Sequence, residues 1–452
     1  MPGAELRQEP RRSGIPGHRL SVLMSGLLGS FGEGFALYLV VVTAFVSLLT
    51  DRLTVIGALP AIGIGLWQFG FLLGNRSVSG RRRRLPWAFT SQAIRAAMMA
   101  LIAYIAFQDN ISAADRLRSF LLAYSAFSLA SGFSSSATSL LTRASLDPAD
   151  RQFSFSVRSI AGAVLVILSG ATAARLLGDT AITTERGFAY LFVASAAAMS
   201  AAAFFVLGIR EVGGALPRLK FPTVGTPAHD RSVKAFWRFA TFRLILGLAA
   251  AADVFIVIFA IRQLDMNLSY LGYCIAAIGA SAAMVLALWR MLDPRISPRS
   301  MLQVGAMCKV VPPLIIVSIP YVQSSATYIE RGYGVSTLHW LIVAAFAFVG
   351  AATAAVVVGS YSLISSLSSA MANTFTELSN LIMGLVSVSG IAAGWIASQW
   401  GFDRLFGLAL AMAVLALLAS GLVPTTAQAA NRATGTAVLA NRPTWHRRLG
   451  SR

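Results

Sequence analysis

The sequence predicts an all-α integral membrane protein, with twelve transmembrane helices in two pseudo-symmetric six-helix bundles. Three observations carry that expectation. Of 452 residues, 56% are hydrophobic and only 12% are charged, about half the charged share of a soluble domain. Twelve apolar runs have the length of a membrane span, which takes about 20 residues to cross the hydrocarbon core. The longest internal hydrophilic stretch, "REVGGALPRLKFPTVGTPAHDRSVKAFWR" from Arg210 to Arg238, divides those runs six and six.

The runs lie near residues 23–49, 53–74, 86–107, 118–142, 155–177, 187–209, 240–262, 268–290, 300–320, 336–362, 373–398 and 404–424. The first begins too late and runs too long for a signal peptide, and no small-residue cleavage motif follows a short apolar core, so it counts as a span. The second, "LTVIGALPAIGIGLWQFGFLLG", is interrupted by Pro60 and several glycines, which membrane helices tolerate. The fourth, "FLLAYSAFSLASGFSSSATSLL", is rich in Ser and Ala, small residues that let helices approach closely in lipid. The expected organisation is a basic N-terminal tail (1–20), a first bundle (21–209), a cytoplasmic linker (210–238), a second bundle (239–424) and a C-terminal tail (425–452).

The net charge is +19, but its distribution argues for a membrane and against nucleic acid. With the N-terminus inside, 27 Lys or Arg fall on the cytoplasmic side and 8 on the other. This positive-inside asymmetry puts both termini in the cytoplasm. The cytoplasmic set includes "RSVSGRRRR" after the second span and Arg143, Arg151 and Arg158 around the start of the fifth. Basic loops of this kind sit against anionic headgroups. The expected location is the inner (plasma) membrane of a bacterium, as a multi-pass monomer. Cys274 and Cys308 lie in different spans and form no metal-ligand spacing. The four histidines are scattered, and no HExxH, P-loop or GxSxG motif occurs. No catalytic residue, metal site, cofactor or enzymatic activity is expected.

Weak internal echoes link the two halves. The first span has "EGFALYLVV" and the seventh "DVFIVIFAI": an acid, any residue, Phe, then mostly aliphatics. The loops after the second and eighth spans, "RSVSGRRRR" and "RMLDPRISPR", are both short and basic. Arg95 stands nine residues after Pro86 in the third span, and Lys309 nine after Ser300 in the ninth. With this layout, with "SLDPADRQFSFSVRSIAG" entering the fifth span and with "FFVLGIRE" ending the sixth, residues 20–424 resemble the major facilitator superfamily of secondary transporters. The loop "GNRSVSGRRRR" keeps the Gly74, Gly80, Arg81 and Arg82 of that family's gating loop, but it has Ser77 or Val78 where the family has an acid. The fifth-span antiporter pattern is missing; "LSGATAARLLG" keeps only Gly170 and Gly178 of its glycines.

The candidate charged residues within the spans are Glu33, Asp253 and Glu377, with Arg95 and Lys309 on the basic side. An Asp, Lys or Arg at a helix centre costs about 2.5–3.5 kcal/mol on insertion scales, so an ionisable residue there points first to function. Glu33, flanked by Gly32 and Gly34, lies near mid-membrane on the first span, and Asp253 near the middle of the seventh. The resemblance implies that these two spans line a central cavity, so the two acids are expected to face one aqueous site. A desolvated carboxyl group beside a second acid holds a proton more readily. Glu377, at the start of the eleventh span, reads as an acid placed on a helix N-terminus. The resemblance makes the third and ninth spans peripheral, which assigns Arg95 and Lys309 to packing or snorkelling, with Gln92 beside Arg95. Tyr38, Trp67, Gln68 and Asn380 complete a possible cavity wall. The function implied is secondary active transport of a small solute by alternating access, coupled to protons. Export of a cationic or amphipathic solute is favoured; the alternatives are a proton-coupled uptake symporter and a non-transporting scaffold on the same fold.

Overall fold

A computed structural model describes residues 16–146, 148–211, 227–292, 296–325, 335–367 and 371–424. Among these residues every regular element is a helix. The chain opens with α1 (Pro16–Phe35), a π-helical segment (Tyr38–Val42) and α2 (Thr43–Leu49), which together form one broken rod. A second broken rod holds α3 (Leu53–Gly57), a π-helical segment (Ala61–Leu66) and α4 (Trp67–Val78). Then come α5 (Leu85–Ala106), α6 (Ala113–Ser145), α7 (Pro148–Gly178) and α8 (Thr184–Leu207). The second half comprises α9 (Pro227–Ala250), α10 (Val254–Gln263), α11 (Ser269–Leu292), α12 (Pro298–Gln323), α13 (Val335–Leu367), α14 (Ala372–Val386) and α15 (Ser389–Ser420).

Among the described residues, ten helical stretches are long and apolar enough to cross a membrane, and the chain is an integral, multi-pass membrane protein. The serine-rich α6 is not among the ten, yet it is a continuous helix of 33 residues. Ser112 starts it by accepting the Asp115 N–H at 3.1 Å. The stretch Ala372–Ser420 has 49 residues, about 73 Å as a straight helix against a hydrocarbon core of about 30 Å. It breaks at Gly401, whose φ of +84° lies in the region that favours glycine. α9 starts at Pro227, inside the stretch expected as linker. Residues 1–15, 212–226 and 425–452, which hold most of the expected tails and linker, lie outside the described residues.

The helices before residue 211 pack mainly on one another, with α5 against α6 and α8, and α1 against α7 and α8. Those after 227 do the same, with α12 against α13 and α15, and α9 against α14 and α15. The two groups meet along two seams. In one, α7 lies on α11, and the backbones of Gly170 and Gly272 come so close that a methyl group on either would overlap the other helix. In the other, α3 lies on α15 through Gly57 and Gly390 in the same way. Small residues at such crossings let helices gain van der Waals contact that lipid does not supply.

The bundle has two ends, set by the turns between successive helices. At the end that carries Asp51, the groups are tied together. Val40–Val42 and Val254–Ile258 are fully buried where α10 crosses α2 and the first π-helical segment. Arg262 donates to the Asp51 carboxylate at 3.0 Å and to the Thr50 carbonyl at 3.2 Å. At the opposite end, which carries Arg84, the contacts between groups run between side chains: Asn75 donates to Glu377, Arg143 to Asn373 at 3.3 Å, and Phe155 stacks on Tyr361.

Candidate functional site

The first candidate is built on α1. From residue 21 to residue 47 only Glu33 is exposed. Its neighbours explain the space around it. Gly32 lies against Ser195 and Met199 of α8, and Gly34 against Ser169 of α7. Between them the Glu33 carboxylate accepts from Arg95 Nη2 of α5 at 2.7 Å, with the glutamate side chain 56% exposed and the arginine 5%. The guanidinium is held further by Gln92, whose Oε1 accepts from Arg95 Nη1 at 3.4 Å and from Ser134 Oγ of α6 at 2.6 Å. It also lies over the ring of Phe127, 5.7 Å from the centroid, a cation–π contact. Glu33 precedes the buried crossing with α10 and so lies on the Arg84 side of it.

The second candidate repeats this pairing with the opposite exposure. Asp253 closes the turn between α9 and α10 and accepts from Lys309 Nζ of α12, with both side chains under a tenth exposed. The expectation of two acids facing one aqueous site is therefore corrected: each acid pairs with a base inside its own half. Of the packing or snorkelling expected of Arg95 and Lys309, snorkelling is corrected: both pack against neighbouring helices as buried counter-charges. Azimuth decided this. Spacing along a helix gives depth, but the side that a residue faces depends on how the neighbouring helices turn.

The other expected residues disperse along the seams. Tyr38 opens the first π-helical segment, half-buried, within electrostatic reach of Asp253 and Tyr124. Gln68 lies against Gly384 across the α4–α14 seam, with its Oε1 buried and without a hydrogen bond. Asn380 is half-buried on α14. Glu377 lies beyond the first turn of α14, so the helix-terminus reading fails; it accepts instead from Asn75 across the halves. In the basic loop, Gly74 packs on Phe133 and Ser136 of α6, Gly80 and Arg82 are exposed, and Arg81 lies 5.6 Å from the Trp87 ring centroid.

Two residues outside the sequence reading complete the picture. Glu211, just past α8, accepts the backbone N–H groups of Arg84 at 2.6 Å and Leu85 at 3.2 Å. It supplies from the far end of the same half the acid that the loop itself lacks, and it caps α5. "FFVLGIRE" carried this residue without marking its partner. Arg158 of α7 is exposed, lies against α1 at Gly26, and interacts electrostatically with Glu33 and Arg95.

No protein-family model matches the chain, and its sequence matches no curated protein. Solved structures do match in fold. A partially occluded inward-open form of the xylose transporter XylE from E. coli is 14% identical with a TM-score of 0.64, over 91% of this chain and 98% of that one. The POT family transporter PepTSo is 13% identical with a TM-score of 0.63, over 94% and 99%. The nucleoside transporter NupG is 15% identical with a TM-score of 0.63, over 90% and 99%. The chain shares the fold of these solved structures. More particularly, its helices are arranged similarly to those of the xylose, POT family and nucleoside transporters in those structures.

Proposed function

We propose that this chain is a secondary active transporter of a small solute, with twelve spans in two six-helix bundles, working by alternating access and coupled to protons through Glu33. α6 and the break at Gly401 bring the ten apolar stretches to twelve spans. The charge asymmetry supports cytoplasmic termini in a bacterial inner membrane, which makes the Arg84 end the inner one. The single observation that carries the reading is Glu33: a carboxylate on the first rod, more than half exposed on one side and held to a buried arginine on the other. A proton and Arg95 compete for that carboxylate, so its protonation changes what holds α1 to α5. A scaffold has no need of such a residue on a water-reached surface within the bundle. The expectation of exporting a cationic solute rested on two acids in one site, and their pairing with bases removes that support.

The test is proton flux in proteoliposomes across a panel of solutes. Glu33→Gln keeps the shape and hydrogen-bonding capacity but cannot titrate. It should abolish proton-driven accumulation while leaving exchange of solute down its own gradient. Normal proton-coupled flux in well-folded Glu33→Gln protein would overturn the coupling role. The sign of the lumenal pH change on adding solute gives the direction of coupling.

A further inference from the structure

The Glu33 cluster holds more positive charge than its one acid neutralises. Arg95 and Arg158 share a single carboxylate, and among the described residues Arg158 makes no ion pair and no side-chain hydrogen bond. Its position is built, not incidental. Gly26 of α1 leaves the room that its side chain occupies, since a methyl group there would overlap Arg158 Cδ. Gly26 and Glu33 are seven residues apart on α1, two turns along one face, so the guanidinium lies along the face that carries the carboxylate. Arg95 has an unused donor as well, a buried Nε without a partner. On the α6 face that carries Phe127 and Ser134, the Ser131 hydroxyl is likewise buried and unpartnered.

From these observations we infer that the first half binds an oxyanion of the transported solute, a carboxylate or phosphate group, between Arg158 and the Arg95–Glu33 pair. The inference rests on the transport reading and adds the solute's chemical class. A planar guanidinium matches both oxyanions in bidentate geometry, and hydrogen bonds between charged partners are about twice as strong as neutral ones. Uncompensated cationic charge within a membrane protein is costly, and an anion from the aqueous side relieves that cost.

The arrangement also explains how binding and proton uptake support each other. The charged groups facing Glu33 are Arg95 from α5 and Arg158 from α7; α8 presents Ser195 and Met199 to this part of α1. With Glu33 ionised, the cluster carries one net positive charge. With Glu33 protonated it carries two, and Arg95 is released to the incoming oxyanion. Each ligand therefore strengthens the other, as linkage requires. That coupling suits movement of proton and anion in the same direction.

The test uses the purified full-length protein in neutral detergent at matched ionic strength. Thermal unfolding is followed while sodium phosphate or sodium acetate is titrated against sodium chloride, since a ligand of the folded state raises the midpoint with concentration. At least one oxyanion should stabilise beyond chloride. Arg158→Gln should weaken its apparent affinity about tenfold or more. Arg158→Lys should retain part of the response in a folded protein, and Glu33→Gln, fixed in the uncharged form, should bind more tightly than wild type. An identical oxyanion response in wild type and both Arg158 variants overturns the site, as does a wild-type response no larger than that to chloride. Micelles doped with phosphatidylglycerol or phosphatidylcholine form the second arm. An Arg158-dependent response to the anionic lipid alone makes a headgroup the occupant and overturns the solute. No gradient enters this measurement. Anion binding that depends on Arg158, in protein that carries no proton flux in liposomes, leaves the site standing and removes the transport reading.

Discussion

The two ion pairs at the centre of the molecule have the same parts in the same places. Each joins an acid on the first rod of its half to a buried base on a later helix, Arg95 ten residues after α5 starts at Leu85 and Lys309 eleven after α12 starts at Pro298. Both bases are buried, yet one acid is 56% exposed and the other 9%. The local backbone accounts for the difference. Glu33 sits in the last turn of α1 between two glycines, where an acid is disfavoured by the helix dipole and nothing covers it. Asp253 sits at the start of α10, where the dipole favours it, between Ala252 and Val254 in a segment that is wholly buried. A sealed pair fastens helices. A pair with one end in water can be opened by a proton or displaced by a ligand.

The largest effect on stability should follow from breaking the sealed pair. Asp253→Asn leaves the Lys309 ammonium buried without a counter-charge, which costs about 3–5 kcal/mol. The unfolding midpoint of purified protein in detergent should fall accordingly, or folded protein should fail to accumulate. Asp253→Asn combined with Lys309→Met removes both charges and should recover most of the loss, because no charge is then left buried without its counter-charge. An Asp253→Asn protein with the wild-type midpoint would show that the second pair is as open as the first.

A second contrast concerns how α5 and α12, the helices that carry the bases, begin. α12 is capped locally: the Ser297 hydroxyl accepts the Ser300 N–H at 3.1 Å, with Pro298 in the first turn. α5 is capped from afar, by the largely buried carboxylate of Glu211 on two backbone N–H groups. Hydrogen bonds to charged groups contribute about 1.5–3 kcal/mol, and a local hydroxyl cap typically about 1 kcal/mol. Glu211→Ala should therefore destabilise by about 2 kcal/mol and Ser297→Ala by about 1 kcal/mol. Proteolysis in the 79–84 loop should rise in the first variant and stay unchanged in the second. Equal losses in both would mean that the remote acid is an ordinary cap.

What could be read beforehand follows from which properties lie along the chain. Run length against bilayer thickness marked the rods, and a backbone-level interruption at Gly401 falls in the gap left between the last two runs. The acids and bases at echoed positions were legible as exceptions to apolarity. Their partners were not, because Glu33 and Arg95 are 62 residues apart and meet only through the rotation of α1 against α5. Glu211 was invisible for a similar reason: the gating loop has no acid of its own, and the acid that meets it comes from beyond α8. Arg158 was hidden by a different success. It is one of the cytoplasmic-side positive charges that fix orientation, and nothing in its sequence neighbourhood marks a second role. The π-helical segment after Leu37 follows no signal in "FALYLVVV"; Leu37 has an extended ψ of 115°, and the segment it precedes packs on α10.

The smallest effect on stability should come from the open pair, and it is the most discriminating. Glu33→Gln removes a charge that already meets water and retains an oxygen that can accept from Arg95. Ion pairs with an exposed partner contribute about 0–1 kcal/mol, so the unfolding midpoint should move little. A double-mutant cycle with Glu33→Gln and Arg95→Gln should then give a coupling below about 1 kcal/mol. The same cycle on Asp253 and Lys309 should give several times that. If the Glu33 cycle returns a coupling as large as the Asp253 cycle, the carboxylate is a fastener despite its exposure, and no proton or solute opens it at low cost. If the coupling is small while proton-driven flux is lost, stability and transport separate at this residue. That separation is what distinguishes a working site from a structural pair.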